Sequence, residues 1–405
     1  MGFTLGLFIA FLIFFFGSRF FERRNLPAPL DSLRMGRLHH LLLGIFIGLF
    51  LPSDNALVHL FEELRYSLAG IALVWFGFQA GLNFDLQRFR THPPRQLLSE
   101  TIQAAGTFLL VFLGVIAIKP LLHTYLGVEK DIALVALLLG AFATTLRTPI
   151  LHRRKKTSSP PVCANPVGLI LFGLLFPLVG ENTVLRLGPL TVVGYANTLA
   201  ILTVPGLLLG ITLDFIFHAH KASLRCIYLS VGMIAAIGGL CLPLQTPGIF
   251  VGFIGGGWLI NTTVRRREVL ELTERAGTVA EPIFFMLLGS IVVGGEAAFF
   301  RPDPLVLFTV GLFLMRGLIR MLGVVVAWHI SDRNRTWQNL IDVGWCPLGT
   351  LSAALIVQGL YLPLRLTHNT LIAGALFSVF LSQLFFTSPS RKNVAPPSQP
   401  DSLQA

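Results

Sequence analysis

Apolar runs long enough to cross a hydrocarbon core of ~30 Å recur along this chain from end to end, with short loops between them. In lipid, backbone N–H and C=O groups must be satisfied within the protein, so continuous runs of this kind fold as helices. Composition agrees: 54% of the 405 residues are hydrophobic and 13% are charged, against about 25% charged in soluble domains. The 39 glycines and 24 prolines fit the same class, since membrane helices tolerate both. The fold class is an all-α polytopic membrane protein in a lipid bilayer.

The runs imply about thirteen transmembrane helices. A first helix lies at the N-terminus. The others are expected at 39–53, 65–84, 100–118, 132–151, 165–179, 189–217, 226–244, 246–262, 278–299, 304–328, 339–360 and 368–386. The opening segment lacks a basic leader and a small-residue cleavage site, and Arg19, Arg23 and Arg24 follow it. It is therefore expected to be a retained helix with the N-terminus outside. Most Lys and Arg then fall in alternate loops, among them Arg88 and Arg90, Arg153 to Lys156, and Arg265 to Arg267. The positive-inside rule puts those loops and the C-terminus in the cytoplasm. Residues 1–386 form one transmembrane domain, and the Pro- and Ser-rich stretch 387–405 is expected to be a disordered cytoplasmic tail. Arg265–Arg275 is charged and helix-prone, and is expected to lie along the inner surface before the tenth span.

The net charge of +11 sits in loops rather than on a basic, aromatic-interleaved face, so nucleic acid is excluded as a partner. The four cysteines, Cys163, Cys226, Cys241 and Cys346, form no CxxC pair, so neither a disulfide framework nor a zinc site is indicated. The pairs His39-His40 and His218/His220 lack the acids or cysteines that would complete a metal site. No cofactor is implied. No soluble module for nucleotide hydrolysis is attached, and no G-x-S-x-G or H-E-x-x-H arrangement occurs within the spans, so an enzyme is not expected.

The most unusual stretch is Gly140 to Leu175. Its apolar helix is interrupted by Thr144, Thr145, Arg147, Thr148 and Pro149. A basic turn follows, and then Asn165-Pro166 at the mouth of a second apolar helix. An arginine and a proline inside an apolar span are costly unless they face protein or water. Arg147 either snorkels to the inner surface beside Arg153 and Arg154 or occupies a polar crossing point. Arg316 lies mid-span, with Arg320 one turn further on the same face. Glu100, Asp214, Glu281 and Asp342 are the candidate partners, each near the inner end of its span. Thr144, Thr145, Thr148 and Asn165 offer neutral oxygens to a substrate, or bond back to their own helices. The glycines of VGFIGGGW, Gly252 to Gly257, permit close approach of scaffold helices.

Several stretches resemble, in order and spacing, the monovalent cation:proton antiporter superfamily of the sodium/proton exchanger type. LLLGIFIGLFLPS is similar to its second span, and the third-span ending is matched by Phe76, Gly81-Leu82 and Asp85. ALLLGAFATTLRTP, PVCANPVGLILFGLLF, EPIFFMLLGSIVVG and GWCPLGTLSAAL resemble the fifth, sixth, tenth and twelfth spans. The resemblance implies inverted repeats with two broken helices crossing near the midplane, the interruptions being Pro149 and Pro347-Leu348-Gly349, with Pro166 at the sixth-span entry. It also implies a homodimer and a lysine or arginine in the eleventh span, matched by Arg316. The carboxylates are not matched: Thr148 stands at the Asp of Thr-Asp-Pro, Pro166 at the Asp of Asn-Asp, and Pro161 at a preceding Glu.

Two readings follow. One is a secondary active transporter of antiporter fold, exchanging Na⁺ or K⁺ for H⁺ by alternating access in the plasma (inner) membrane of a prokaryote. Its atypical site also admits an anionic solute. The other is a transport-inactive relative acting as a membrane sensor, scaffold or partner subunit.

Overall fold

The computed structural model describes residues 38–50, 56–120, 132–146, 164–179, 185–187, 190–192, 194–219, 224–244, 246–293, 302–330, 348–361, 374–379 and 381–382. The first helix, the basic turn at 153–156 and the tail lie outside these residues, as do Arg147, Thr148, Pro149, Asp342 and Pro347. The described chain is nearly all helical: α1 (Leu38–Phe50), α2 (Ala56–Leu82), α3 (Leu86–Thr91), α4 (Pro94–Ala117), α5 (Ile132–Thr144) and α6 (Ala164–Val179) are followed by α7 (Tyr195–Ala219), α8 (Leu224–Cys241), α9 (Gly248–Thr262), α10 (Arg266–Val293), α11 (Pro302–Ile330) and α12 (Thr350–Tyr361). Among the described residues, four stretches are long and apolar enough to cross a membrane: Ser67–Thr91, Leu97–Ala117, Tyr195–Ala219 and Val306–Gly323. Their outward faces are apolar too, with Leu113, Phe215 and Leu318 more than half exposed. Exposed apolar surface on that scale calls for a lipid solvent.

Packing divides the helices into two bundles. In the first, α2 lies along α8, α9 and α10, α1 lies along α10, and α7 along α9. In the second, α4 packs on α5, α6 and α11, and α5 packs on α6 and α12. The bundles meet where α12 touches α2 and α9, and where α6 touches α7 and α9. We call the first the scaffold and the second the core.

Glycines set the scaffold spacing. A Cβ on Gly252 or Gly256 of α9 would overlap the carbonyl oxygen of Val74 or Phe78. Reciprocally, one on Gly77 or Gly81 of α2 would overlap the carbonyls of Ile249 or Phe253. Gly206 and Gly210 bring α7 onto the opposite side of α9, and Gly44 with Gly289 does the same for α1 and α10. Without a hydrophobic drive between helices in lipid, backbone approach of this kind supplies the dispersion contacts that hold them together. The glycines of VGFIGGGW thus pack scaffold helices.

The Asp85 elbow closes one end of this assembly. Asp85 caps α3 through the N–H of Gln87 at 2.9 Å and pairs with Arg266 at 3.3 Å. Asn261 accepts the N–H of Leu86 at 2.9 Å and donates to the carbonyl of Phe84 at 2.8 Å. The end of α2 is thereby tied to the α9–α10 junction, which gives Asp85 a structural task.

Two expectations are corrected. The seventh span starts at Tyr195, not at 189: Leu185–Leu187 and Leu190–Val192 pair as a short antiparallel ribbon with Arg186 opposite Thr191. The second of these runs carries the β-branched Thr191 and Val192, which suit a strand. Arg265–Arg275 is not a separate surface helix either. From Arg266 it runs without a break into α10, because no proline or cap intervenes before Pro282, and Arg267–Glu271 supports the first turns at 3.6 Å.

Gly252→Val is expected to destabilise the detergent-solubilised protein by about 1–3 kcal/mol, because its side chain meets backbone rather than a yielding side chain. Gly239→Ala, whose Cβ would meet nothing within 4 Å, is the matched control. Equal thermal midpoints for the two variants would contradict the glycine account.

Candidate functional site

The fifth-span helix stops early. α5 ends at Thr144, and Thr145-Leu146 continues without helical structure. Local chemistry accounts for this. The hydroxyl of Thr144 donates to the carbonyl of Ala141, and that of Thr145 to the carbonyl of Phe142, both at 2.7 Å. Threonine side chains that take backbone acceptors in this way compete with the regular ladder. Asn165 completes the exit: its Oδ1 accepts from the N–H of Leu146 at 2.7 Å, and its Nδ2 donates to the carbonyl of the same residue at 3.0 Å. One side-chain amide thus replaces both partners that a helix would have given Leu146.

Asn165 can reach because α6 begins beside it. Pro166 sits in the first turn of α6, where its missing N–H costs nothing. Gly168 brings α5 and α6 together, since a Cβ there would overlap the Thr144 hydroxyl. Ala104 of α4 packs against Leu146 and Ala164 to seal this corner.

The twelfth-span helix meets the same point. Leu348 and Gly349 are buried and non-helical, and α12 starts at Thr350. The hydroxyls of Thr145 and Ser352 are hydrogen-bonded to each other across the gap. The N–H of Leu348 donates to the Ser382 hydroxyl at 3.1 Å. The C-terminal end of α5 and the start of α12 therefore share one buried polar junction.

Arg316 adds the charge. It is 2% exposed, and its Nε donates to the carbonyl of Ala143 in the last turn of α5 at 3.4 Å. A cation at a helix C-terminus is favoured by the helix dipole and by carbonyls that lack intrahelical donors. Arg320, one turn along α11, is 3% exposed. Of the candidate acids, Glu100 on α4 is 8% exposed, while Asp214 lies 3.4 Å from His218 near the end of α7. Among the described residues no cluster of three or more His, Cys, Asp or Glu could hold a metal ion.

Thr144, Thr145, Asn165, Arg316 and Gly349 are thus brought to one buried region, and Arg320 lies a turn away. Sequence reasoning missed Ser352, Ser382 and Gln358. Each is a polar side chain in an apolar run, and each is fully buried. That isolation was the available signal, but serine and glutamine carry no charge to make it stand out.

By sequence alone, no family model and no curated protein matches this chain. By structure, the chain has the fold of a sodium/proton antiporter. It is similar to the sodium proton antiporter MjNhaP1 of Methanocaldococcus jannaschii, with a TM-score of 0.58, 17% identity and 94% of each chain covered.

Asn165→Ala leaves the Leu146 N–H without its acceptor and is expected to cost about 1–3 kcal/mol of stability. Asn165→Asp keeps that acceptor but turns an oxygen toward the Leu146 carbonyl in a buried site, so it should cost at least as much. Thermal unfolding of the three proteins checks this, and an unaffected Ala variant contradicts the capping role. A Thr145→Val/Ser352→Ala double-mutant cycle should give a coupling of about 0.5–1.5 kcal/mol. A coupling of zero would mean that the junction contributes nothing to holding α5 against α12.

Proposed function

We propose that this chain is a secondary transporter that exchanges a small monovalent cation, Na⁺ or K⁺, for protons by alternating access. Its core of α4, α5, α6, α11 and α12 moves against the scaffold. The observation that carries the reading is the buried junction between the end of α5 and the start of α12, inside an antiporter fold. Interrupted helices bring carbonyls and helix ends to the midplane, where an ion can be held without water. Here the oxygens of Thr145, Ser352 and Asn165 supply neutral ligands, and Arg316 supplies the fixed positive charge. The same reading includes thirteen spans in inverted repeats, the N-terminus outside and the C-terminus in the cytoplasm, a homodimer, and residence in a prokaryotic plasma membrane. Arg147, Thr148, Pro149 and Pro347 belong to it through their places in the sequence.

One observation favours a second substrate class. The buried guanidinium of Arg316 binds the Ala143 carbonyl in the last turn of α5, and Thr145, two residues past that carbonyl, is bonded to Ser352 in the first turn of α12. A guanidinium and a helix N-terminus are both electropositive, and half-helix N-termini receive anionic groups in transporters. An anionic solute exchanged with protons is therefore the alternative.

Purified full-length protein in vesicles with an imposed pH gradient tests both readings. Addition of Na⁺ or K⁺ is expected to dissipate the gradient. Arg316→Ala should lower the initial rate by about tenfold or more, and Arg316→Lys by less. Silence with both cations across the neutral pH range, together with a response to small anions, selects the second reading. Silence to every ion leaves a membrane subunit that does not transport.

A further inference from the structure

Core and scaffold meet at α6 and α9. Gly173 of α6 lies so close to the ring of Phe250 on α9 that a Cβ there would overlap it. A buried hydrogen bond crosses the same boundary at α12. The side-chain oxygen of Gln358 accepts from the backbone N–H of Ile249 at 3.3 Å. Gln358 and Ile249 are both fully buried. The oxygen assignment follows from the partner, since a backbone N–H can only donate.

The location makes this bond consequential. Ile249 lies in the first turn of α9, where the N–H groups have no intrahelical acceptor. Pro247 precedes the helix and gives no side-chain cap; its carbonyl accepts from Phe250 and Val251 instead. Gly248 packs against Val74, toward the middle of α2 rather than its end, so this helix start lies within the bundle. A bare N–H there would cost several kcal/mol in a water-free medium. The acceptor comes from the other bundle. It also comes from the half-helix whose first turn carries Ser352, the residue bonded to Thr145 at the junction.

Gln358 is only half used. Its Nε2 is buried and has no acceptor among the described residues. An amide that grips with one atom and leaves the other idle fits a contact made in one arrangement of the bundles and exchanged in another.

We propose that Gln358 is a positioning residue that latches the core to the scaffold by gripping the start of α9, and that it must release Ile249 before the bundles move. This rests on the alternating-access reading above. The bond links the α5–α12 junction to the scaffold through one half-helix, so displacement of the junction loads this contact directly.

Pulsed spin-label distance measurement on the full chain tests the latch. The four native cysteines are replaced by alanine, and labels are attached through Arg95→Cys on the core and Arg267→Cys on the scaffold. Gln358→Met keeps length and volume but does not serve as the acceptor for the Ile249 N–H; Gln358→Leu is an independent removal. Both are expected to shift the ratio of short to long separations about tenfold, the size of one lost buried hydrogen bond. Gln358→Glu, measured at a pH low enough to keep the buried acid neutral, retains a carbonyl oxygen and should restore the original distribution. A wild-type distribution in folded Gln358→Met and Gln358→Leu overturns the latch. So does a Gln358→Glu protein that shifts as far as they do. If the distribution shifts while wild-type vesicles move no ion, the latch stands and the transport reading falls. If ions move and the distances ignore Gln358, the reverse holds.

Discussion

Backbone polar groups freed inside an apolar bundle need partners, because hydrocarbon offers none. The exit of α5 depends on this. Asn165 takes both the N–H and the C=O of Leu146, and Arg316 takes the carbonyl of Ala143. The end of α5 would otherwise leave several such groups bare. With these partners, it becomes a defined polar site beside α6, α11 and α12. The start of α9 shows the same rule, with Gln358 as the donated acceptor.

The scaffold solves a different problem. Its cohesion comes from close backbone approach. Glycines on both partners of the α2–α9 and α1–α10 contacts allow this. A surface built in this way is rigid, since backbone cannot yield as a flexible side chain does. The Asp85–Arg266–Asn261 cluster fixes one end of it.

The chemistry at the junction departs from what the sodium/proton exchanger resemblance implies. Where that resemblance places carboxylates, this chain has Thr148 and Pro166. Pro166 opens α6, beside the Asn165 that caps α5. The described polar atoms nearest the break belong to hydroxyls, an amide, backbone carbonyls and a guanidinium. A carboxylate site releases its cation on protonation, whereas an arginine holds its proton at all accessible pH. Proton coupling, in the transport we propose, therefore needs a group other than Arg316.

The sequence by itself determined the class of this protein, because hydropathy over whole spans is a local sum that needs no partner. It also marked the region that matters: threonines, Asn165 and Arg316 in apolar runs are costly wherever the chain puts them, so they had to converge or face water. The glycines of α9 were legible as a packing surface for the same reason. Only the tertiary structure decided which groups pair. Asn165 and Leu146 are 19 residues apart, Thr145 and Ser352 are 207 apart, and Gln358 and Ile249 are 109 apart. No periodicity encodes such pairings. They depend on where two bundles meet, and that is set by the summed shape of many side chains. The α5 exit at Thr144, five residues before Pro149, was hidden for this reason: the cap that ends the helix comes from another span.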